Sequence, residues 1–312
     1  MNTDLFKNYR YLNAGTFANL TRIVNHGKLE NTGKFIIFDT DFVLNNPLIA
    51  SFGTENAKYD IDYFYKLSYE FGFSALMGNV AVVERISLSY PGELPLILRL
   101  NSGNALNPEK IAITRPLTAS VRDALRVGAC AVCFTVCVSS ERSYEMLEDL
   151  KDIIAEAHDC GLPVIVEVLP RGGFLSRLGE GALDIIALSV RLACELGADL
   201  IKAPFPNESI ENPKAKKDYE ESGLNLNDGV VRLNHVAKAA FGGERLTGIG
   251  LSDYDDDKTT DEINMLSQSD VAGLFVSALA LRTGKIASVI SSFSESIAAK
   301  AMPLFKEEYG DQ

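Results

Sequence analysis

Short, almost continuously apolar runs rich in β-branched residues alternate with longer stretches of helical period along most of the chain. One junction recurs: a helical segment, a glycine, then an apolar run. It appears at Gly72, Gly128, Gly161 and Gly197, where a helix needs a left-handed residue before the chain enters a strand. Strands that are apolar on both faces and are reached by short loops from helices belong to a parallel sheet covered by helices. The pattern predicts eight strands, over residues 34–39, 75–78, 96–101, 131–136, 164–168, 199–203, 246–250 and 273–276. Helical patterns fall at 59–71, 120–126, 143–158, 182–196, 230–240 and 260–269, with another at 286–299. Eight strand–helix units predict an α/β protein built as a single (β/α)8 TIM barrel rather than a doubly wound sheet. The expected division is an N-terminal lead-in over 1–33 and the barrel over 34–312. Residues 207–227, rich in Pro, Asn, Lys and Glu, are expected to form a long loop after strand six.

Composition narrows the function. The hydrophobic fraction of 46% with 23% charged residues is that of a folded domain. A formal charge of −12 works against neutralising phosphates, so no nucleic-acid partner is expected. The polar amino terminus carries no leader-like apolar stretch, and no apolar run reaches the ~18 residues a membrane span needs. Five cysteines form an odd set suited to free thiols in a reducing compartment, which makes the cytoplasm the expected location. Cys130 and Cys133 have C-x-x-C spacing but lie in a strand pattern without a second pair, so neither metal nor redox chemistry is assigned to them.

In such a barrel, chemistry gathers at the C-terminal ends of the strands. Strand one ends in Asp39, strand three carries Arg99 and Asn101, strand five Glu167 and strand six Lys202. A lysine in the apolar run Leu200-Ile201-Lys202-Ala203 is expected to be desolvated, which lowers its pKa toward the neutral amine that attacks a carbonyl to form a Schiff base. The alternative is a strand-end lysine held charged by a carboxylate.

Several stretches are similar to one family: residues 117–129, Leu169-Pro170-Arg171-Gly172-Gly173, residues 182–187, Leu196-Gly197-Ala198-Asp199-Leu200-Ile201-Lys202, and residues 211–217. Together, over roughly residues 30–300 in order, they resemble the bacterial and archaeal type of class I fructose-bisphosphate aldolase, in the Schiff-base superfamily that includes deoxyribose-phosphate aldolase. The resemblance implies a TIM barrel, a homo-oligomer, a small carbonyl or sugar substrate, and Schiff-base catalysis that requires no metal or other cofactor. It places Lys202 at the Schiff-base lysine and Asp39 at the active-site aspartate.

The departures are equally specific. Where the family has Tyr-Pro-Arg-Gly, with the tyrosine as general acid/base, this chain has Leu169. Two residues earlier an aromatic residue is replaced by Glu167, which alternation places on the same strand face as 169, toward Lys202. Glu167 is therefore a candidate proton shuttle in the tyrosine's place, or an ion-pair partner that keeps Lys202 charged. Arg99, Asn101, Arg171 and Ser252 are the candidates for holding substrate oxygen or phosphate groups. The family's phosphate locus after strands seven and eight is altered to Gly250-Leu251-Ser252 and Ser277-Ala278-Leu279, with no arginine and with Asp253-Tyr254-Asp255-Asp256-Asp257 next to it. That acidic run lacks the glycine and the bidentate Glu of a calcium loop and is expected to be solvated. Gly248-Ile249-Gly250 lacks the third glycine of a dinucleotide fingerprint. His26, His158 and His235 lie away from the strand ends and carry no expected metal or triad role. Two functions follow: a class I aldolase with an altered acid/base and phosphate site, or a catalytically impaired paralogue acting as a structural or regulatory oligomer.

Overall fold

The computed structural model describes residues 5–41, 59–104, 113–251, 256–278 and 287–297. Eight parallel strands close into a barrel in sequence order: β1 (Phe35–Asp39), β2 (Ala75–Gly78), β3 (Leu96–Arg99), β4 (Ala131–Val136), β5 (Val164–Val168), β6 (Leu200–Pro204), β7 (Leu246–Gly250) and β8 (Gly273–Ser277). β8 pairs back onto β1, with Ser277 beside Asp39. The chain is therefore a (β/α)8 barrel.

Helices take the positions between strands. They are α1 (Ala14–Val24), α2 (Ile61–Phe71), α3 (Val80–Ser89), α4 (Val121–Arg126), α5 (Ser143–Asp159), α6 (Leu183–Glu195), α7 (Pro213–Glu221), α8 (Gly229–Ala239) and α9 (Asp256–Gln268), followed by α10 over 287–297. The four junction glycines all adopt positive φ, from 65° at Gly72 to 104° at Gly197. Three helices lie outside the sequence pattern: α1, α3 and α7. α7 corrects the expectation of an irregular loop over 207–227; Asn212 accepts a hydrogen bond from the Lys214 N–H and Pro213 opens the first turn, two strong helix-start signals.

Strand alternation divides the core in two. One set of side chains, among them Phe38, Leu76, Phe134, Val166 and Ile201, faces the helices. The other, including Phe35, Ile37, Met77, Ile97, Ile165 and Leu200, fills the barrel interior. Gly248 and Gly273 make room for two interior aromatic rings: a Cβ at Gly273 would lie 2.4 Å from the Phe35 ring, and one at Gly248 2.6 Å from Phe275.

The bottom of the barrel is stoppered by the segment before β1. Tyr9, Leu20, Ile23 and Val24 join the interior cluster. The Tyr9 hydroxyl donates to the Asp199 carbonyl at 2.7 Å and accepts from the Leu246 N–H at 2.6 Å, tying the stopper to the entrances of β6 and β7. The Asp199 carboxylate accepts from the Val164 N–H and meets His158 Nε2, both at 2.8 Å. His158, an unassigned helix histidine in the sequence, thus has a structural partner. Burial holds the interior thiols protonated, with Cys130 pushed up to about 11 and Cys133 to about 12. Among the described residues, no helix is long and apolar enough to cross a membrane.

Candidate active site

At the other end of the barrel the interior becomes ionic. Register sets Thr135 beside Glu167 and Glu167 beside Lys202, all on the inward face. Lys202 Nζ lies 2.5 Å from Asp39 Oδ2 and 2.6 Å from Glu167 Oε1. Behind it, Arg99 donates from Nη2 to Asp39 Oδ2 at 2.8 Å and from Nη1 to Glu167 Oε2 at 2.6 Å. The Arg99 Nη1 also donates to the Thr135 hydroxyl, which in turn donates to Glu167 Oε2, each at 2.7 Å. A third carboxylate, Asp41, sits 3.3 Å from Arg99 Nε and accepts from Asn79 Nδ2 at 2.8 Å and from the Ser102 hydroxyl.

Five ionisable side chains from β1, the turn after it, β3, β5 and β6 thus form one buried cluster of three carboxylates and two cations. Burial pushes the Lys202 ammonium toward neutrality, but the adjacent Asp39 and Glu167 carboxylates outweigh it and raise the pKa above the ordinary lysine range. Of the two readings of this lysine, the geometry favours the one in which carboxylates hold it charged at rest. Burial likewise opposes ionisation of Glu167 and Asp39, yet Lys202 and Arg99 hold both carboxyls below their usual values. Asp41 is shifted upward by burial and by the neighbouring Asp39 charge, against the pull of Arg99. Asp39 and Glu167 are thus anionic at rest.

Arg99, expected to touch substrate, is 1% exposed, and its guanidinium is committed to carboxylates and Thr135. Asn101, expected in the same role, is fully buried and braces β4, donating to the Thr135 carbonyl at 2.8 Å and accepting from its N–H at 2.7 Å. The geometry gives both a positioning place behind the reactive groups. Arg171 is different: it is exposed and lines the mouth of a cavity of about 220 Å³. Glu167 and Lys202 reach the cavity from the barrel floor, and Leu169, Pro204, Leu251 and Phe275 supply its apolar wall. Ser252 lies outside the described residues, as do Leu279 and most of the acidic run after it; Gly250 and Ser277 line the cavity. Asp41, Thr135, Ser102 and Asn79 are participants that the sequence pattern did not single out. The alternation that brought out Glu167 also marks Thr135 as inward-facing, one strand away.

A lysine flanked by two carboxylates thus sits at the C-terminal mouth of a (β/α)8 barrel, the end where such barrels gather their chemistry. The chain belongs to the DeoC/LacD family of aldolases, whose pattern matches residues 45–229 and so includes Arg99, Glu167 and Lys202 but stops short of Asp39. The chain is similar to class 1 fructose-bisphosphate aldolases. It is 32% identical over 177 residues to the class 1 fructose-bisphosphate aldolase of Thermoproteus tenax, covering 56% of this chain and 64% of that protein. It is 27% identical over 197 residues to a probable class 1 enzyme of Chlamydia muridarum, covering 62% of this chain and 56% of that protein. The matched stretch therefore spans less than two thirds of these relatives' own length. A Schiff-base-forming fructose-1,6-bisphosphate aldolase has the same fold, with a TM-score of 0.72 at 23% identity over 89% of this chain and 99% of that one. The fructose-bisphosphate aldolase of Slackia heliotrinireducens superposes with a TM-score of 0.72 at 18% identity over 97% and 94%.

Proposed function

We propose that this protein is a class I aldolase-type carbon–carbon lyase in which Lys202 forms the imine, Glu167 moves the protons and Asp39 orients the amine. The observation that carries this reading is the position of Lys202 Nζ, 2.5 Å from Asp39 and 2.6 Å from Glu167, on the floor of the one cavity that Glu167 also lines. Asp39 is saturated: Oδ2 accepts from Lys202 and Arg99, and Oδ1 accepts from the Asp41 N–H at 3.0 Å. Glu167 reaches the cavity and is the more exposed of the two side chains, at 17% against 7%. It is the better placed shuttle.

The proton steps balance on these groups. Glu167 takes a proton from the Lys202 ammonium, and the freed amine attacks the substrate carbonyl. The carbinolamine loses its hydroxyl as water with that proton returned, leaving an iminium. Glu167 then removes the proton of the hydroxyl β to the iminium carbon, the carbon–carbon bond breaks, and its electron pair enters the iminium to give an enamine and a free aldehyde. Protonation of the enamine carbon by Glu167 and hydrolysis restore the lysine. General acid/base help of this kind contributes ~10² to 10⁴ in rate, so a carboxylate at 167 compensates for an apolar Leu169.

The proposed substrate is a short carbonyl compound rather than fructose 1,6-bisphosphate. Arg171 is the one cationic side chain besides Lys202 among the cavity's described lining residues, and a phosphate is normally held by several charge-assisted bonds at ~1.5 to 3 kcal/mol each. In this reading the lead-in expected over 1–33 serves, through its described residues Tyr9 to Val24, as the stopper of the barrel expected over 34–312. A second reading, a non-catalytic paralogue, is favoured by the same ion pairs that keep Lys202 charged at rest. Incubation with dihydroxyacetone, dihydroxyacetone phosphate and simple aldehydes, followed by borohydride and peptide mapping, separates the two. A reduced adduct on Lys202 is expected, and the absence of any adduct assigns the chain to the non-catalytic reading.

A further inference from the structure

A second cavity, of about 430 Å³, opens at the opposite end of the barrel, where β7, β8 and β1 begin. Lys34, Lys238 and Arg245 line it, and Asp270 is the single carboxylate among its lining residues. Three cations around one cavity stand out in a chain whose formal charge is −12. None of these residues belongs to the aldolase site.

The polar groups there are set in place by the fold. Lys34 Nζ donates to the Val271 carbonyl at 2.5 Å, which fixes the ammonium beside the entrance of β8. Arg245 stacks on Tyr11, its guanidinium carbon 4.6 Å from the ring centroid, and its buried Nε has no hydrogen-bond partner. The Asn234 carbonyl oxygen accepts from the Asp270 N–H at 2.8 Å, leaving its amide NH2 as a donor at the wall. Thr247, 2% exposed on β7, lines the cavity, and its hydroxyl also has no partner. A buried hydroxyl and a buried guanidinium N–H at this wall leave two donors that an oxyanion in the basin would satisfy. Gly242 and Gly243 adopt φ of +76° and +96° at the rim, with nothing within 4 Å of where a Cβ would stand, so the mouth is open.

We propose that this basin binds a small phosphate monoester, its phosphate held by Lys238, Arg245 and the Thr247 hydroxyl and its organic part occupying the remaining volume. Cationic and neutral donors line one basin, and its volume exceeds that of a free phosphate ion; an oxyanion with a small organic group fits both features. β7 runs from the basin at its start, Leu246 and Thr247, to the lysine cavity at its end, Gly250.

Titration calorimetry at fixed ionic strength, with inorganic phosphate and with glycerol 3-phosphate as probes, tests the assignment. Saturable binding is expected for both, tighter for the ester, and it persists in a Lys202→Met, Arg171→Gln double variant that alters the cations of the lysine cavity. Lys238→Gln is expected to weaken binding by roughly tenfold, and Thr247→Val by roughly fivefold. Thermal unfolding of each free variant verifies that the barrel is intact. Absence of saturable binding up to ~10 mM, affinity unchanged in both basin variants, or an ester that binds no more tightly than the ion would each overturn the proposal.

Discussion

Replacing Glu167 by glutamine should make Lys202 easier to deprotonate, and the size of the effect follows from the cluster. The carboxylate oxygen lies 2.6 Å from Nζ, and both side chains are largely buried, at 17% and 13% exposure. At an effective dielectric of about 20, a unit charge pair at that distance is worth roughly 6 kcal/mol. Charge delocalisation over two oxygens, and the part of the Glu167 charge directed at Arg99, reduce what Lys202 feels. A shift of ~1 to 3 pKa units is the usual outcome for a single adjacent opposite charge. Removing that charge leaves Arg99 and Lys202 facing Asp39 and Asp41. Arg99 keeps its proton, because a guanidinium does not ionise in proteins, so the weaker stabilisation of positive charge is felt at Lys202. The assay is the initial rate of borohydride trapping with an unphosphorylated ketone as a function of pH, which reports the neutral amine before turnover matters. Glu167→Gln should move the midpoint of that profile down by ~1 to 3 units while depressing carbon–carbon cleavage, since the shuttle is gone. A midpoint that stays in place or rises would refute the electrostatic account, and unchanged cleavage would refute the shuttle.

Lys202→Met should abolish all borohydride-trapped adduct while the barrel still unfolds cooperatively; a persisting adduct would transfer the imine to another lysine. Fructose 1,6-bisphosphate should be cleaved far below the ~1 to 10³ per second of ordinary enzymes, and an ordinary steady-state rate would overturn the reading of the cavity. The hydrogen bond to Asp199 raises the His158 pKa despite partial burial, so the charged pair stabilises the fold fully below the unfolded value near 6.5, and that stabilisation is lost as pH rises through the higher folded value. The stability gap between wild type and His158→Gln should therefore shrink as pH rises above about 6.5, as read from denaturant midpoints; a constant gap would show that the pair is not titrating. Gly273→Ala drives a Cβ to 2.4 Å from the Phe35 ring and should destabilise the barrel by ~1 to 3 kcal/mol, a loss that a compensating Phe35→Leu should partly restore.

The strands were legible because a parallel barrel writes itself as eight apolar runs, and their ends differ from expectation by no more than two residues, as at β3 (Leu96–Arg99). Glu167 and Lys202 were legible for a related reason: alternation assigns a face, and consecutive strands are neighbours. What alternation does not assign is distance across the barrel. Asp39 and Lys202 are 163 positions apart, and nothing local announces that Arg99 would be enclosed by three carboxylates instead of reaching substrate. The resting charge of Lys202 stayed open in the sequence on the same account, since its apolar sequence neighbours point away from the interior while its ionic neighbours come from other strands. The stopper was hidden differently: Tyr9 stands among Lys, Asn and Arg residues, and its burial depends on acceptors and donors at Asp199 and Leu246. α7 was visible in Asn212-Pro213, but its charged, wholly surface-lying sequence offers no apolar stripe.

The ionic cluster also constrains how the chain reaches its native state. Its members arrive from β1, β3, β5 and β6, so a partly assembled barrel holding β3 through β6 would enclose Arg99, Glu167 and Lys202 without Asp39, one carboxylate against two cations. An uncompensated charge in a closing apolar interior costs several kcal/mol, a cost relieved only when β1 docks and supplies its aspartate. Half-barrels are thereby disfavoured as resting places, and the last strand to join is the one whose arrival neutralises the interior. Ring closure and charge balance become a single cooperative event, detectable as a refolding rate for Asp39→Asn that falls less than its unfolding rate climbs.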